Sequence, residues 1–448
     1  MWSPADALIC LAYLAVNVLF IVFGGLSAVS AGRRAGALSL MNMGLLYLSP
    51  SLSLFAYILG LSIKISTRMH LLAGWMTGML LAVHVAATLL SRPQGWSVQE
   101  EPHLHGLIGA IALAVILSLT PSVIRRRFYE PICCPGCICI FRSSLVQSRC
   151  ARISSGWCTQ MASSPPRLSD AVVTCDPSAW DTPRSHAGMP LIIRITLPKP
   201  LKVDAGQYVS LWLPTASLLS WSQTHPFMVT SWSPERQEVL ELLVQSREGL
   251  TSTLRARVAL GGRVSLPALI DGPYGMSRTV DGFQSVLVIA TNFGIAGVIS
   301  YMTKLVYGFN TCKLQVRRLR RLRLVWEVQD LDIAIAAQPF LNSLLNDDIQ
   351  DDGYIIDISF YMPPGRNPER FGRHRRVTVL SSRPNYNEII AAEATGQCIR
   401  RVEGIYEERG KTLVIASVSP DVRNTVRRAV RVYLDRQVQL YETEYQPN

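Results

Sequence analysis

The sequence has few charged residues. Asp, Glu, Lys and Arg together make up 17% of its 448 residues, whereas hydrophobic residues make up 49%. Soluble domains average about 25% charged residues, so this composition argues against a purely soluble chain and against a disordered one. Glycine and proline, at 30 and 26 residues, are too few for a collagen-like or low-complexity protein. The length allows for roughly three domains.

Acidic residues are fewer than basic ones, 32 against 44, which gives a net charge of +12 at pH 7. Such an excess suits a nucleic acid, an anionic membrane surface or a small anionic ligand such as a nucleotide. No nucleic-acid-binding motif accompanies the charge, so we expect no nucleic-acid partner. The sequence identifies no protein partner either.

Charged residues are almost absent from four apolar stretches in the first third of the chain. Each stretch reaches or approaches the ~20 residues that cross a bilayer, so we predict four membrane-spanning helices and a lipid bilayer as the surroundings. The stretches are Ala7–Val29, Ala37–Ile63, Met69–Leu90 and His105–Ile124. Arg33 and Arg34 are interpreted as belonging to the first connection. The balance of basic residues then places the N-terminus and the chain after Arg127 in the cytosol.

Two histidines, His70 and His84, fall within the third stretch. In a helix, their separation of fourteen residues places them about 40° apart around the axis and about 21 Å apart along it. Two imidazoles on one face suit two stacked haems. The alternative is a pair of interfacial histidines satisfied by headgroups or carbonyls. His103 and His105 cannot reach the level of His70, so a second set of haem ligands is either missing or unrecognisable in the sequence.

Beyond residue 185 the sequence is typical of soluble α/β structure. The predicted strands include Leu191–Leu197, Tyr208–Leu213, Ser285–Ile289, Arg323–Val328 and Thr412–Ile415. Several motifs follow one another in this part: His225-Pro226-Phe227, Arg247-Glu248-Gly249-Leu250-Thr251, Asp271-Gly272-Pro273-Tyr274-Gly275 and the strand–glycine turn from Val286 to Gly297. In this order and spacing, the segments resemble the ferredoxin-reductase-type module of fungal ferric reductases, which are relatives of the NADPH oxidases.

The resemblance implies a multidomain fold. An α-helical transmembrane bundle is followed by an FAD-binding antiparallel β-barrel and an α/β nucleotide-binding domain, as in ferredoxin reductases. The predicted boundaries are 1–130 for about four transmembrane helices, 131–186 for an atypical Cys/Ser/Pro-rich linker, 187–280 for the barrel and 281–448 for the NAD(P)-binding domain.

Candidate site residues follow from the resemblance and from their chemistry. A flavin needs an apolar wall and hydrogen-bond donors, and the predicted FAD residues are His225, Pro226, Phe227, Thr230, Ser231, Gly249 and Thr251. A glycine turn after a buried strand aims backbone amides at a phosphate. The predicted NADPH residues are Gly272, Pro273, Tyr274, Gly275, Thr291, Gly294, Ile295, Ala296, Gly297 and Ser417. For the segment from His225, the alternative is a buried strand with an incidental histidine. For the turn Thr291–Gly297, it is an ordinary strand-to-helix turn.

The implied activity is electron transfer from NADPH through FAD and haem b to an extracytoplasmic acceptor such as ferric iron. The implied location is the plasma membrane, with the FAD and NADP module in the cytosol. His70 and His84 are the predicted ligands of the haem iron. Two alternatives remain, namely a haem-less membrane-anchored NADPH–flavin reductase and an impaired family member that acts as a membrane scaffold.

The sequence departs from the family at three places besides segment 131–186. Met228 stands in place of a threonine next to the flavin, and Asn292 stands in place of a glycine in the nucleotide turn. Ser417 and Ser419 occupy the stretch in which related reductases carry Cys-Gly-Pro, so the nicotinamide site has no thiol.

The largest departure is segment 131–186, which stands where the family has its fifth and sixth helices. Seven of the ten cysteines lie between Cys133 and Cys175. Three interpretations compete: a discontinuity in the sequence, a genuine linker with S-acylated cysteines, and a metal or redox site at Cys134 and Cys137.

A run of arginines precedes one of the predicted strands. In a strand its side chains alternate between faces, and one face suits the 2′-phosphate of NADPH or an anionic lipid. The other interpretation is a solvated, charged edge strand. The run consists of Arg317, Arg318, Arg320, Arg321 and Arg323.

Overall fold

The computed structural model describes the chain in separate ranges. They are residues 4–23, 27–47, 63–90, 169–174, 189–216, 224–247, 249–311, 319–348, 354–363, 375–399 and 410–443, with single residues at 56, 58, 59, 109 and 111. The helices of the N-terminal part form one unit, and two β-sheets with their helices form another. The predicted fourth span, apart from residues 109 and 111, and the cysteine pair Cys134 and Cys137 lie outside the described residues.

The N-terminal unit contains three described helices, α1 (Pro4–Val22), α2 (Ala28–Tyr47) and α3 (Ile63–Leu90). Within the described ranges, one segment is long and apolar enough to cross a membrane, Ile65–Leu90, with a mean hydropathy of 1.6. It matches the third predicted span. A shorter apolar helix, Leu11–Val22, lies within the first predicted span.

The start of the second predicted span is wrong. Arg33 and Arg34, interpreted above as a connection, lie inside α2. The physical reason is a helix cap, because the Nη1 group of Arg34 donates to the carbonyl oxygen of Ile21 at 2.9 Å and also to that of Phe23. These carbonyls end α1 and have no partner within that helix. Arg33 and Arg34 therefore do not belong to a connection between helices. They no longer count among the basic residues from which the orientation in the membrane is predicted.

Small residues allow α2 and α3 to lie close together. A Cβ atom added at Gly32 would lie 2.6 Å from the Cβ atom of Ala87, and one added at Gly36 would lie 2.8 Å from Nδ1 of His84. The Ser39 hydroxyl donates to the carbonyl oxygen of Thr77 at 3.1 Å across the same interface. Close backbone approach through small residues is typical of helices that pack in membranes.

The first sheet is antiparallel throughout and has the strand order β4-β3-β6-β1-β2-β5. Its strands are β1 (Ser169–Thr174), β2 (Pro190–Leu201), β3 (Tyr208–Trp212), β4 (His225–Met228), β5 (Gln237–Gln245) and β6 (Arg263–Tyr274). Helix α4 (Leu250–Gly261) connects β5 to β6. Alternating inward side chains, with Leu191, Ile193 and Ile195 of β2 among them, form its core.

Strand β1 lies within the segment predicted to be a linker. It pairs with β2 on one side and with β6 on the other, so it is an interior strand of the barrel. Ala171 and Val173 are fully buried and alternate with more exposed neighbours. Residues 169–174 are therefore part of the barrel fold rather than linker.

The second sheet is parallel throughout and has the order β10-β9-β8-β7-β11-β12. Its strands are β7 (Ser285–Thr291), β8 (Arg321–Glu327), β9 (Ile356–Tyr361), β10 (Val377–Leu380), β11 (Thr412–Ser417) and β12 (Val438–Glu442). Its helices are α5 (Ile299–Thr311), α6 (Leu331–Asp347), α7 (Tyr386–Thr395) and α8 (Pro420–Arg431). Every residue of β7 and of β11 is buried, as expected for central parallel strands.

The order in which successive strands are added reverses at the centre of the parallel sheet. Strands β7 to β10 follow one another toward one edge, whereas β11 and β12 lie on the other side of β7. In open sheets of this kind, ligands bind beyond the carboxyl ends of the strands at the point where the strand order reverses. The topology therefore predicts a ligand site at the carboxyl ends of β7 and β11.

Candidate functional site

The ends of β7 and β11 are held together by a short 3-10 turn, Asn292–Gly297. The hydroxyl oxygen of Thr291 accepts a hydrogen bond from the backbone N–H of Ser419 at 2.8 Å. A Cβ atom at Gly294 would overlap the carbonyl oxygen of Ser417 and lie 2.9 Å from its carbonyl carbon. Only a glycine permits this approach, so the structure brings together Thr291, Gly294 and Ser417 as the sequence predicts.

Ser417 has a buried hydroxyl at this point that is unpaired within the described part of the chain. Its side chain is 1% exposed, and its hydroxyl oxygen has no hydrogen-bond partner among the described residues. Buried hydroxyl groups are normally satisfied. An unpartnered polar atom beside the glycine turn fits a bound nucleotide that supplies the partner.

Asn292 adopts the left-handed conformation that its position in the turn requires. Its φ is 46°, and asparagine tolerates this region better than most residues other than glycine. Its side-chain oxygen accepts from the N–H of Gln329 at 2.9 Å, and its carbonyl oxygen accepts from Nε1 of Trp326 at 2.9 Å. Asparagine thus replaces the family's glycine without loss of the turn, and it fastens the turn to the end of β8.

The remaining residues of the turn are buried. Ile295 and Ala296 are 0% exposed, and their side chains belong to the apolar core on one face of the sheet. Gly297 is buried as well. These residues can offer a nucleotide their backbone, whereas their side chains serve the core.

The segment Gly272–Gly275, predicted as a loop, forms the last three residues of β6 and the residue after it, against the start of β3. The hydroxyl group of Tyr274 donates to Asp271 at 2.6 Å, and the ring of Tyr274 lies 6.0 Å from that of Tyr208. Burial raises the pKa of the Tyr274 hydroxyl, and the hydrogen bond to Asp271 raises it further. The side-chain amide of Gln207 donates to the carbonyl oxygen of Gly275 at 3.1 Å. This segment, which includes Pro273, is therefore fixed within the barrel.

Tyr301 lies on α5, the helix that follows the glycine turn, and connects this helix to the barrel. Its hydroxyl oxygen accepts from the N–H of Arg278 at 3.3 Å, and its hydroxyl donates to that of Tyr441 at 3.1 Å. The N–H of Gly206 in the barrel donates to Ser300 at 3.1 Å. The predicted flavin and nucleotide regions are thus connected through α5.

Strand β4 carries the predicted flavin residues along the edge of the barrel sheet. His225 and Pro226 are half-buried, whereas Phe227 is 2% exposed and lies in the barrel core. Thr230 donates its hydroxyl to the carbonyl oxygen of Glu241, and the hydroxyl oxygen of Ser231 accepts from the N–H of the same residue. The accessible wall therefore comes from His225 and Pro226, while Phe227 and Thr230 maintain the barrel. Met228, in place of the family's threonine, is buried.

Gly249 begins α4 with a φ of 85°, and a Cβ atom there would meet nothing within 4 Å. The glycine is needed for its conformation, and the first amides of the helix are available for an anion. The Thr251 hydroxyl is engaged with the backbone of Arg247, at 2.8 Å and 3.0 Å. The predicted pyrophosphate contact thus rests on backbone amides at Gly249 rather than on the Thr251 hydroxyl.

The two arginines of the run that lie in β8 do not reach the nucleotide edge. Arg321 and Arg323 lie at the amino end of β8, an interior strand, and both bind the buried carboxylate of Glu393, at 2.9 Å and 3.4 Å. Arg321 also binds Asp357 at 2.7 Å. Neither interpretation from the sequence holds for these two residues. They do not face a 2′-phosphate or a lipid, and they do not form a solvated edge strand, because both bind carboxylates within the fold. Arg317 and Arg318 lie outside the described residues.

The predicted haem ligands lie on α3 and point to different surroundings. Nδ1 of His84 lies 2.8 Å from the carbonyl oxygen of Gly32, and its ring packs against Gly36. Nδ1 of His70 is buried without a hydrogen-bond partner among the described residues. Neither α1 nor α2 contains a histidine. Hence the described residues supply no opposing imidazole, and they do not complete an axial haem site.

One functional candidate was missed in the sequence. Glu327 ends β8, and its carboxylate accepts a hydrogen bond of 2.6 Å from the hydroxyl of Tyr386. Its signal is its position, since an acidic residue at the end of the second strand after a glycine turn is typical of dinucleotide sites.

Comparisons with known proteins match parts of this chain. A family model described as an FAD-binding domain matches residues 190–278. The ferric/cupric reductase transmembrane component 2 of Saccharomyces cerevisiae is 30% identical over 163 residues, which are 36% of this chain and 22% of that protein. The ferric reductase transmembrane component 3 of the same yeast is 33% identical over 118 residues, 25% of this chain and 16% of that protein. The chain thus matches about a fifth of the length of these relatives.

Among solved structures, the ferredoxin-NADP+ reductase from Plasmodium falciparum is 12% identical, with a TM-score of 0.37, over 62% of this chain and 98% of that chain. The family model and the yeast relatives confirm the resemblance to the fungal ferric reductase family. They show that residues 190–278 are similar to an FAD-binding domain.

Proposed function

We propose that this protein is a membrane-anchored FAD-dependent reductase that oxidises a nicotinamide nucleotide and passes the electrons to a metal acceptor such as ferric iron. The acceptor and the membrane anchor are suggested by the names of the yeast relatives, which are transmembrane components of ferric reductases. The apolar segment Ile65–Leu90 supports the anchor.

The observation that carries the proposal is the switch point of the parallel sheet. There the buried, unpartnered hydroxyl of Ser417 lies beside Gly294, whose approach to β11 excludes any side chain. A core-packing role would account for the glycine but not for the unsatisfied hydroxyl. A nucleotide bound at this edge accounts for both.

Two groups of residues would hold the cofactors. His225 and Pro226 would line the flavin ring along the edge strand, and the amides after Gly249 would bind the pyrophosphate. Thr291, Gly294 and Ser417 would orient the nicotinamide nucleotide. When bound, FAD supplies the conversion of a two-electron oxidation into single-electron transfers. The protein itself contributes position and exclusion of water, and no general base is required.

The extension to an extracytoplasmic acceptor through haem is a separate hypothesis. His70 and His84 would provide one ligand to each haem, and each partner would have to come from outside the described residues. We therefore derive no step through haem. A haem-less flavin reductase is the form of the proposal that the described residues support.

The test is an analysis of the full-length protein purified in detergent. We expect one FAD per chain after acid release, and reduction of a ferric chelate that depends on added nicotinamide nucleotide. A reduced-minus-oxidised visible spectrum decides the haem hypothesis. Absence of flavin, or flavin that supports no chelate reduction, would contradict the proposed function and favour a scaffold.

A further inference from the structure

Glu327 lies where a dinucleotide would place its adenosine ribose. It is half-buried at the carboxyl end of β8, directly beside β7 with its glycine turn. The hydroxyl of Tyr386, on α7, donates to its Oε2 atom at 2.6 Å. The other carboxylate oxygen, Oε1, takes no part in this bond, so Tyr386 fixes the carboxylate and leaves it able to accept a further hydrogen bond.

The connection after Glu327 is fastened to the glycine turn. Asn292 accepts hydrogen bonds from Trp326 and from Gln329, at 2.9 Å each, so residues on both sides of Glu327 are tied to the turn. The connection also adds negative charge, because Asp330 and Asp332 follow at the start of α6. Three of the six residues from Glu327 to Asp332 are therefore acidic.

The basic residues of β8 are at its opposite end. Six residues separate Arg321 from Glu327, which corresponds to about 20 Å along a strand. Both Arg321 and Arg323 are bound to Glu393. They cannot neutralise a phosphate at the carboxyl edge, so these two arginines do not support NADPH over NADH.

We propose that Glu327, positioned by Tyr386, binds the ribose hydroxyls of NADH and discriminates against the 2′-phosphate of NADPH. This inference rests on the proposed function, and the unpartnered hydroxyl of Ser417 at the same edge is the independent sign that a nucleotide binds there. A carboxylate accepts hydrogen bonds from a 2′,3′-diol. It repels a phosphate at short range.

Arg383 is the competing feature. It is exposed in the connection before α7, and its positive charge acts on Tyr386. It offers a phosphate one cation on the side of Tyr386. Since three of the six residues from Glu327 to Asp332 are acidic, we expect the acidic side to dominate.

The experiment compares the binding of NAD+ and NADP+ to the oxidised, FAD-loaded full-length protein by isothermal titration calorimetry. This readout does not depend on turnover. We expect NAD+ to bind at least about tenfold more tightly than NADP+. Glu327→Gln should weaken NAD+ binding and strengthen NADP+ binding. Tyr386→Phe, which retains the carboxylate but frees it, should reduce the preference to a smaller extent.

Glu442→Gln is the matched control. Glu442 ends β12 at the same edge of the sheet but is bound to Arg427 on α8, so this variant should leave the preference unchanged. Tighter binding of NADP+ by the wild type would overturn the inference, as would an unchanged preference in Glu327→Gln. Loss of NADP+ binding in Arg383→Ala would then identify Arg383 as the determinant. Binding of neither nucleotide would instead contradict the proposed function itself.

Discussion

Loss of one buried carboxylate, that of Glu393, is expected to destabilise the α/β domain strongly. The Glu393 side chain is 1% exposed. It binds Arg321 at 2.9 Å and Arg323 at 3.4 Å, and it accepts a hydrogen bond from Ser285 at 2.9 Å. These partners belong to the first residues of β7 and β8, so the carboxylate holds the amino ends of two central strands against α7.

The magnitude follows from the partners that Glu393→Ala would leave behind. Arg321 would retain Asp357 at 2.7 Å, whereas Arg323, whose side chain is 17% exposed, would lose the carboxylate of Glu393. Removal of one member of a buried ion pair costs about 3–5 kcal/mol. For a domain of this size, that corresponds to a decrease in Tm of roughly 6–20 °C.

The assay is thermal unfolding of the FAD-saturated protein, followed by circular dichroism. Glu442→Ala is the control, because it removes a carboxylate from the Arg427–Glu442 pair, whose side chains are 55% and 24% exposed. An exposed pair contributes at most about 1 kcal/mol. Since Glu393 lies at the edge opposite the glycine turn, kcat/KM measured well below the Tm should remain at the wild-type value.

The reasoning would be refuted if Glu393→Ala lowered the Tm no more than Glu442→Ala does. It would also be refuted if Glu393→Ala lost nucleotide binding while its Tm stayed constant, since that result would place Glu393 in the site.

Three further predictions concern the glycine turn, the barrel contact and the buried tyrosines. Gly294→Ala forces a Cβ atom into Ser417 and should abolish nucleotide binding while FAD is retained. Gly308→Ala, where a Cβ atom meets nothing within 4 Å, should bind nucleotide normally in the same titration. Gly206→Ala, with a φ of 82° and a Cβ atom 2.6 Å from Cζ of Tyr301, should cost about 2–5 kcal/mol in chemical denaturation; a loss below 1 kcal/mol would contradict the tight contact. Burial raises the pKa of Tyr301 and of Tyr386 above the ordinary value of 10.0, so the neutral hydroxyls stabilise the fold below about pH 10 and this stability is lost as the pH rises further. Replacement of either tyrosine by Phe should reduce the slope of the free energy of unfolding against pH, above pH 10, by up to about 1.4 kcal/mol per pH unit. An unchanged slope would contradict the raised pKa of that tyrosine.

Much of the C-terminal fold could be predicted because its strands have distinct patterns. The continuous apolar run of β7 indicated a buried parallel strand, and it was found at Ser285–Thr291. Strand β1 was not predicted, because its six alternating residues lie in a stretch rich in serine and proline. The register of β1 between β2 and β6 depends on pairing with residues that are distant in the chain, which local periodicity does not report.

The candidate site was predictable where it depends on backbone geometry. The glycine turn and Ser417 were identified as neighbours, and the structure brings them together. The partners of charged side chains were not predictable. Arg321 and Glu393 are 72 residues apart, and Glu327 and Tyr386 are 59 residues apart. Their pairing follows from the packing of α7 against the sheet, so the arginine run could not be assigned from its sequence alone.

The most direct test of the proposed function is an anaerobic titration of the purified, FAD-loaded protein with NADH, followed by visible absorbance. The flavin bands should bleach in proportion to added NADH, with one equivalent sufficient for each flavin. They should remain in the Gly294→Ala variant, which keeps FAD but cannot seat the nucleotide. Flavin that stays oxidised in excess NADH and in excess NADPH would contradict the account, because the switch point of the parallel sheet would then not serve a nicotinamide nucleotide.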